Sequence, residues 1–373
     1  MTYRSFLYII WFTGSAALAT VLTPLARTLA HRLGLVDQPG GQSYKWHQRP
    51  TAYLGGAAIA FAVVVIGILS RGRSPADRIT VILLGGLVCG AVGVWDDWRS
   101  LGVGPKVAAT LVGGVAVWAA GVRVAFTGNQ VADFALTVSW IVVVTHAVNV
   151  IDNMDGVAVG LVAISATAAF VIAILNGETR VALMAVVIAG ACIGFLPFNV
   201  GPATVFLGDG GTLFLGFVLA SLALTLDLPG RGLLVRASVP VLLLGVPIFN
   251  AALVVVSRRR GGRPIVVGGT DGVAHRLVAW GLSRSQATVA FWFAGAALAA
   301  AAVLVARAGG AAAVAVDSTL VIGASIAIWR FEQVGMGSRS VPKQLAPGRP
   351  SHGLVPASPS VLARKNPETE ANS

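Results

Sequence analysis

The feature that most constrains this chain is a succession of apolar stretches, each long enough to cross the roughly 30 Å hydrocarbon core of a bilayer as a helix. Only 11% of the residues are charged, against about 25% in soluble proteins. The sequence therefore predicts an all-α, polytopic integral membrane protein with about 10–11 transmembrane helices. The stretches lie at 5–22, 52–70, 79–95, 106–120, 134–151, 156–176, 181–198, 211–226, 233–256, 287–306 and 310–330.

Two segments are predicted to depart from straight helix. The ninth stretch contains Pro240 and Pro247, each of which removes a backbone donor and favours a kink or break. A broken helix is tolerated in a membrane where it lines a polar cleft. In the segment 121–133, the larger apolar residues Val122, Val124 and Phe126 stand at every second position, and this period predicts a short hairpin outside the bilayer.

The basic residues predict an orientation. With the N-terminus outside, 18 of the 27 Lys and Arg residues fall in cytoplasmic segments, as the positive-inside tendency requires. Residues 1–330 are predicted to form the membrane domain, and 331–373, rich in Pro, Ser and charge, a disordered cytoplasmic tail. The net charge of +12 does not indicate nucleic-acid binding, because no basic stripe with interleaved aromatic residues is present.

Acidic residues concentrate on the face predicted to be cytoplasmic. Asp96 and Asp97 directly follow an apolar stretch, and adjacent carboxylates raise each other's pKa unless a cation lies between them. Arg99 and Lys106 could supply that cation in a purely structural ion pair. Taken alone, the pair therefore fits a salt bridge and a functional site equally well.

Two further polar clusters favour a site. His146, Asn149, Asp152 and Asn153 fall on one helical face, and Asp155 follows them. Polar groups at the end of a membrane helix usually mark function. A third cluster runs from Asn199 to Thr212 and contains Asp209 between glycines. A tight interhelical turn would explain the glycines but not Asp209.

The donor types indicate the chemistry. Carboxylate oxygens without clustered Cys or His favour Mg²⁺, or alternatively Mn²⁺, over zinc. Six arginines in the segment 257–286 suggest a polyanionic substrate such as a diphosphate. No Walker A loop or dinucleotide fingerprint is present. Together these features predict metal-assisted phosphoryl transfer at a membrane surface.

Five motifs, in order, resemble those of the polyprenyl-phosphate N-acetylhexosamine-1-phosphate transferase family, which includes the phospho-N-acetylmuramoyl-pentapeptide transferases. The resemblance covers residues 30–285. The motifs are Asp37 to Gly56 with Lys45-Trp-His47, Asp96-Asp97 followed by Lys106, Asn149 to Gly156, Phe206 to Gly211, and Arg258 with Asp271 to Leu277.

The resemblance implies transfer of N-acetylhexosamine-1-phosphate, most favourably GlcNAc-1-phosphate, from a UDP-sugar to a polyprenyl phosphate in the plasma membrane. UMP would be released, and a cell-envelope glycan initiated. It implies Mg²⁺ at Asp209 and Asp155, and only the resemblance suggests a homodimer. The implied catalytic residues are Asp96, Asp97, Asp155 and Asp209; the implied substrate-binding residues are Lys45, His47, Lys106, Asn149, Asp152, Asn199, Phe206, His275 and Arg276.

Four positions depart from the family pattern: Ser100, His146, Asn250 and Gly272. Asn250 replaces a typically acidic residue and Gly272 a frequent histidine, so a non-catalytic relative that binds lipid phosphate or nucleotide sugar is one alternative. A transporter of anionic solutes is another, although the chain shows no internal repeat of the kind that transporters often carry. The missing histidine triplet argues against the pentapeptide substrate.

Overall fold

The computed structural model describes residues 3–39, 49–71, 77–266 and 268–334. In these ranges the chain forms thirteen α-helices and one two-stranded antiparallel sheet. The helices are α1 (Tyr3–Leu33), α2 (Gly55–Arg71), α3 (Arg78–Arg99), α4 (Val103–Ala119), α5 (Gln130–Ile151), α6 (Val157–Leu175), α7 (Thr179–Asn199), α8 (Gly208–Thr225), α9 (Leu233–Leu243), α10 (Gly245–Arg260), α11 (Val273–Ala279), α12 (Arg284–Ala308) and α13 (Gly310–Glu332); the strands are β1 (Val36–Asp37) and β2 (Thr51–Ala52).

The all-α membrane architecture is confirmed. Eight of the described helices are long and apolar enough to span a bilayer. A ninth span is formed if α9 and α10 are taken as one broken helix, and α2 and α4 are shorter apolar helices. Every one of the eleven predicted stretches coincides with a helix or with this broken pair. The protein is therefore a multi-pass membrane protein.

The predicted break in the ninth stretch is confirmed. Helices α9 and α10 meet at an angle of 77°, and Leu244 separates them. Pro240 lies in the last turn of α9 and Pro247 in the first turn of α10. A proline is accommodated in a first helical turn because its missing N–H has no intrahelical partner there.

The predicted hairpin at 121–133 is wrong. The described segment forms no strand there; the sheet pairs Val36 with Ala52 and Asp37 with Thr51 instead. The amides of Phe126 and Thr127 donate to Asp133 Oδ1 at 3.1 and 3.0 Å. A carboxylate in the first turn of α5 thus satisfies the backbone groups that a second strand would have paired.

Helix α8 is the buried centre of the bundle and packs against α2, α3 and α5. Glycines on α3 allow the backbones to approach closely, as small residues commonly do between membrane helices. A Cβ built at Gly93 would lie 2.4 Å from the carbonyl oxygen of Asp209. This contact places the end of α3, with its two aspartates, directly beside the start of α8.

The end of α13 differs from the predicted domain boundary. The helix continues to Glu332, so the first residues assigned to the tail are helical and Phe331 is buried. The rest of the predicted tail lies outside the described residues, apart from Gln333 and Val334.

Candidate active site

The polar clusters of the sequence meet at one end of the bundle. The ends of α3, α5 and α7 and the starts of α4, α6 and α8 all lie there, because consecutive helices alternate in direction. Hydrogen bonds between these ends join residues more than 100 positions apart in the sequence. The structure therefore assembles one site from segments that are separate in the chain.

Lys106 joins two of the predicted aspartates. Its Nζ lies 2.8 Å from Asp96 Oδ2 and 2.7 Å from Asp209 Oδ2. The Lys106 and Asp96 side chains are only 13% and 14% exposed, whereas Asp209 is 28% exposed. A single ammonium group thus holds two carboxylates together while Asp209 keeps access to a ligand.

The paired aspartates have different surroundings. The carboxylate of Asp97 accepts hydrogen bonds from the amides of Asp209 and Gly210, at 3.0 and 3.2 Å. It therefore satisfies two free N–H groups at the start of α8, where the helix dipole also favours an anion. Asp96 instead accepts from Lys106 and from the amide of Gly102 at 3.1 Å.

Asn149 bonds to the same centre from α5. Its Nδ2 donates to Asp209 Oδ1 and to Thr212 Oγ1, both at 2.8 Å. Asp209 is consequently held by an amide on one oxygen and an ammonium on the other. One turn earlier on α5, His146 Nε2 lies 3.3 Å from Thr110 Oγ1 on α4. His146, one of the four departures from the family pattern, therefore contacts α4 one turn after Lys106.

Asp152 lies just beyond the end of α5 and is half-buried. Burial, together with the negative charges of Asp209 and Asp155, raises the pKa of its carboxyl to about 7. Along the chain, Asp152 stands between Asn149, which bonds to Asp209, and the turn that carries Asp155.

Two helices hold the turn that contains Asp155. From the α7 side, the Ala203 amide donates to Asp155 Oδ2 at 2.9 Å, and the Gly156 amide donates to Asn199 Oδ1 at 3.1 Å. From α12, Thr288 Oγ1 donates to the Asp155 carbonyl at 3.2 Å and Trp292 Nε1 to the Gly156 carbonyl at 3.0 Å. Sequence reasoning missed the two α12 residues, because nothing in an apolar helix marks them.

Phe206 is positioned by the small sheet. Its amide donates to the carbonyl of Ala52 at 2.8 Å, beside a parallel bridge between Ala52 and Val205. The Phe206 ring is half-buried and lies 6.2 Å from the ring of Tyr53, measured between centroids. This predicted substrate-binding residue is therefore fixed next to a second aromatic side chain.

Tyr53 is a further site residue that sequence reasoning did not single out. Burial raises its pKa above the usual range, and the charge of Asp37, a hydrogen bond to Asp37 and the charges of Asp97 and Asp209 add to this effect. The phenol is accordingly a neutral hydrogen-bond donor beside the aspartates. Its position before Gly55-Gly56 in the first motif was the available signal.

The last motif forms a separate network. Asp271 is ion-paired with Arg258 at 3.0 Å and Arg263 at 2.6 Å, and the Val273 amide donates to Asn250 Oδ1 at 2.9 Å. A Cβ built at Gly272 would lie 3.2 Å from Asn153 Nδ2. The network thus abuts the Asp152–Asp155 turn. His275 is buried in α11, next to it.

The remaining predicted substrate-binding residues are Arg276, Lys45 and His47. Arg276 is 2% exposed, and its guanidinium bonds to protein groups; burial lowers its pKa, while the charges of Glu332 and Asp271 oppose the shift. The predicted ligand-binding residues Lys45 and His47 lie outside the described residues.

The negative charge of the aspartates around Lys106 makes this site suitable for a divalent cation. Asp97 and Asp152 both interact electrostatically with Asp209. Within the described residues, the ion pairs of these aspartates are those of Lys106 with Asp96 and Asp209. These hard oxygen donors suit Mg²⁺. No group of three or more His, Cys, Asp or Glu side chains in the described ranges is already arranged around one point, so ligand oxygens would have to complete the coordination shell.

Fold and site together define a class: a multi-pass membrane protein with an acidic, lysine-bridged cluster at one end of its helical bundle. Residues 79–227 match the model of glycosyl transferase family 4. The chain is 31% identical over 296 residues to the probable undecaprenyl-phosphate N-acetylglucosaminyl 1-phosphate transferase of Bacillus subtilis, covering 77% of this chain and 82% of the relative. The protein belongs to glycosyl transferase family 4.

Two other relatives agree with this assignment. The decaprenyl-phosphate N-acetylglucosaminephosphotransferase of Mycobacterium tuberculosis is 30% identical over 309 residues, covering 73% of this chain and 76% of the relative. A phospho-N-acetylmuramoyl-pentapeptide-transferase of Limosilactobacillus fermentum is 34% identical over 203 residues, covering 48% and 62%. The family resemblance of the five motifs is thereby confirmed.

Proposed function

We propose that the protein transfers N-acetylhexosamine-1-phosphate, with GlcNAc-1-phosphate as the favoured group, from a UDP-sugar to a membrane polyprenyl phosphate. The observation that carries this proposal is the Lys106-bridged pair of Asp96 and Asp209, with Asn149 on the remaining oxygen of Asp209. The names of the relatives from Bacillus subtilis and Mycobacterium tuberculosis support the lipid acceptor and the transferred sugar phosphate.

In the proposed reaction, an oxygen of the lipid phosphate attacks the phosphorus that carries the sugar. A new phosphorus–oxygen bond forms, the bond to the bridging oxygen of the diphosphate breaks, and UMP leaves. The products are polyprenyl-diphosphate-sugar and UMP. Positioning and charge stabilisation dominate such transfers.

The residues have distinct proposed roles. Asp209 and Asp155 would hold Mg²⁺, with Asp152 between them; when bound, the ion would neutralise charge on the diphosphate. Lys106 stabilises the neighbouring carboxylates and lies where it can meet phosphate oxygens. One of Asp96 and Asp97 would accept a proton from the lipid phosphate. Each already accepts two hydrogen bonds, Asp97 from the amides of Asp209 and Gly210 and Asp96 from Lys106 and the Gly102 amide.

We further propose that the site faces the cytoplasm and that the membrane is the plasma membrane. The distribution of Lys and Arg supports the orientation. Exposed tryptophans near the site ends of α3 and α13, including Trp98 and Trp329, are typical of a membrane–water interface. A homodimer remains a proposal that rests on the resemblance alone.

The deciding experiment is UMP release from UDP-GlcNAc by purified protein, with undecaprenyl or decaprenyl phosphate, in the presence and absence of Mg²⁺. Asp209→Asn is the test variant, and Asp227→Asn, which removes an exposed carboxylate after the far end of α8, is the matched control. Metal-dependent release that is lost only in Asp209→Asn is expected. Release unaffected by Asp209→Asn would refute the proposed site.

The non-catalytic alternative predicts binding without turnover. It is motivated by Asn250 and Gly272. The side chain of Asn250 accepts the Val273 amide and so positions α11, and a Cβ at Gly272 would lie only 3.0 Å from Asn250 Oδ1. Tight binding of UDP-GlcNAc with no UMP release, also with other UDP-N-acetylhexosamines, would favour this alternative. The relatives named above are transferases, so none of them favours the transporter.

A further inference from the structure

Arg276 occupies an unusual place between the C-terminal ends of two helices. Its side chain is 2% exposed, and its neighbours belong to the ends of α10 (Gly245–Arg260) and α13 (Gly310–Glu332). The C-terminal end of a helix carries partial negative charge from its unpaired carbonyls. A guanidinium is always charged and presents a rigid fork of donors, so it is suited to join two such ends.

Four hydrogen bonds use the donors of this guanidinium. Nε donates to the Asp271 carbonyl at 3.0 Å, and one terminal nitrogen donates to Ser257 Oγ at 2.6 Å and to Glu332 Oε1 at 3.0 Å. The other terminal nitrogen donates to the carbonyl of Phe331. Arg276 therefore ties its own segment, α11, to both helix ends.

The last turn of α13 makes additional contacts with the same segment. The ring of Phe331 stacks on Trp280 with centroids 4.6 Å apart and planes inclined by 14°. Glu332 also lies 3.8 Å from Arg260 at the end of α10. Phe331 and Glu332 thus contact residues both before and after α11.

Helix α11 in turn abuts the proposed active site. Asn250 holds its first amide, and Gly272 lies against Asn153, the neighbour of Asp152. His275 stands directly before Arg276 in the sequence. A displacement of α11 would therefore move both His275 and the packing around the Asp152–Asp155 turn.

We propose that the C-terminal turn of α13 is a positioning element of the active site, in which Glu332 and Phe331 fix α11 through Arg276. Arg276 is then a positioning residue rather than a direct ligand of the diphosphate or sugar. The activity readout rests on the proposed function, whereas the position of α11 can be measured without it.

The test compares Glu332→Gln and Glu332→Asp in the full-length protein. Glutamine removes the charge from the bond to Arg276, and hydrogen bonds to charged groups of this kind shift equilibria by about 10- to 100-fold. Aspartate keeps the charge and is expected to retain more function. Arg276→Lys, which keeps a charge but loses the fork, is the second variant, and Asp227→Asn again controls for removal of a carboxylate.

Two readouts are needed: amide hydrogen exchange in the peptide covering 268–282, and kcat and KM for both substrates. Faster exchange in Glu332→Gln and Arg276→Lys is expected, with kcat lowered about tenfold or more and Asp227→Asn unchanged. Exchange and kinetics equal to the unaltered protein in both variants would overturn the inference while leaving the proposed function standing. Faster exchange in a protein that never releases UMP would support the positioning role and refute the proposed function.

Discussion

Lys106 Nζ lies 2.7 Å from Asp209 Oδ2 although 103 residues separate them in the chain. The contact joins the first turn of α4 to the first turn of α8, and the same ammonium also reaches Asp96. Without it, two carboxylates would share a poorly solvated space at the centre of the site. The ion pair therefore has both a structural and a proposed functional role.

Lys106→Gln is expected to lower stability by about 1.5–3 kcal/mol and to abolish most UMP release. Because the uncompensated carboxylates attract a divalent cation, added Mg²⁺ should raise the unfolding temperature of this variant more than that of the unaltered protein. Lys106→Arg, which keeps the charge, serves as the control. Equal Mg²⁺ responses in all three proteins, measured by thermal unfolding in detergent, would count against the arrangement.

Gly93→Ala tests the close approach of α3 to α8. The added Cβ would lie 2.4 Å from the Asp209 carbonyl oxygen and 2.6 Å from the Gly210 nitrogen, so one helix has to move. Overpacking of this kind costs about 1–3 kcal/mol, and a misplacement of about 1 Å can lower a rate about 100-fold. Turnover should therefore fall far more than the loss of stability explains.

The matched control is Gly104→Ala, in the first turn of α4. Apart from the backbone of its own turn and its chain neighbours, a Cβ at Gly104 would have no atom within 4 Å, and alanine is the better helix former. Activity and unfolding temperature should be equal to or above those of the unaltered protein. If the two alanine variants behaved alike, the steric argument would fail.

Much of this architecture follows from the sequence because bilayer thickness fixes the length of each apolar stretch. The positions of Asp96, Asn149 and Asp209 at helix ends were visible for the same reason. The different environments of Asp96 and Asp97 were not, since only the packing of α3 on α8 decides which carboxylate meets the amides of Asp209 and Gly210.

The features that the sequence did not predict correctly also have physical causes. The alternation of Val122 and Val124 has the period of a strand, but the amides of that segment find a carboxylate acceptor in Asp133 instead. Thr288 and Trp292 donate to backbone carbonyls, and such donors leave no signature in the sequence of an apolar helix. Glu332 falls in the predicted tail because the segment 331–373 is rich in Pro, Ser and charge, whereas the structure includes Glu332 in α13.

Trp292→Phe and Thr288→Val test the support of the Asp155 turn by α12. Each change keeps most of the side-chain volume and removes one donor to a carbonyl of Asp155 or Gly156, at about 1 kcal/mol per neutral hydrogen bond. We expect kcat to fall about fivefold in each variant, because a loss of about 1 kcal/mol corresponds to a rate change of about that size. Thr319→Val, whose hydroxyl bonds only within α13, should leave the kinetics unchanged. A fall of the same size in Thr319→Val would show a general effect on the bundle.

Asp152→Asn tests the charge balance of the site through pH. Because the pKa of Asp152 is raised to about 7 from about 3.9 in an unfolded chain, the folded protein binds this proton more tightly than the unfolded chain does. Stability should therefore fall as the pH rises from about 4 to about 7, and then change no further through this group. Asp152→Asn removes that dependence, so the variant should be the more stable protein at pH 8 and lose its advantage towards pH 4.

Thermal unfolding at a series of pH values, without added divalent cation, measures the difference in stability, with Asp227→Asn as the control. A difference independent of pH would mean that burial and the charges of Asp209 and Asp155 do not raise the pKa of Asp152. A difference at pH 8 that shrinks when Mg²⁺ is added would support binding of the cation beside this carboxylate.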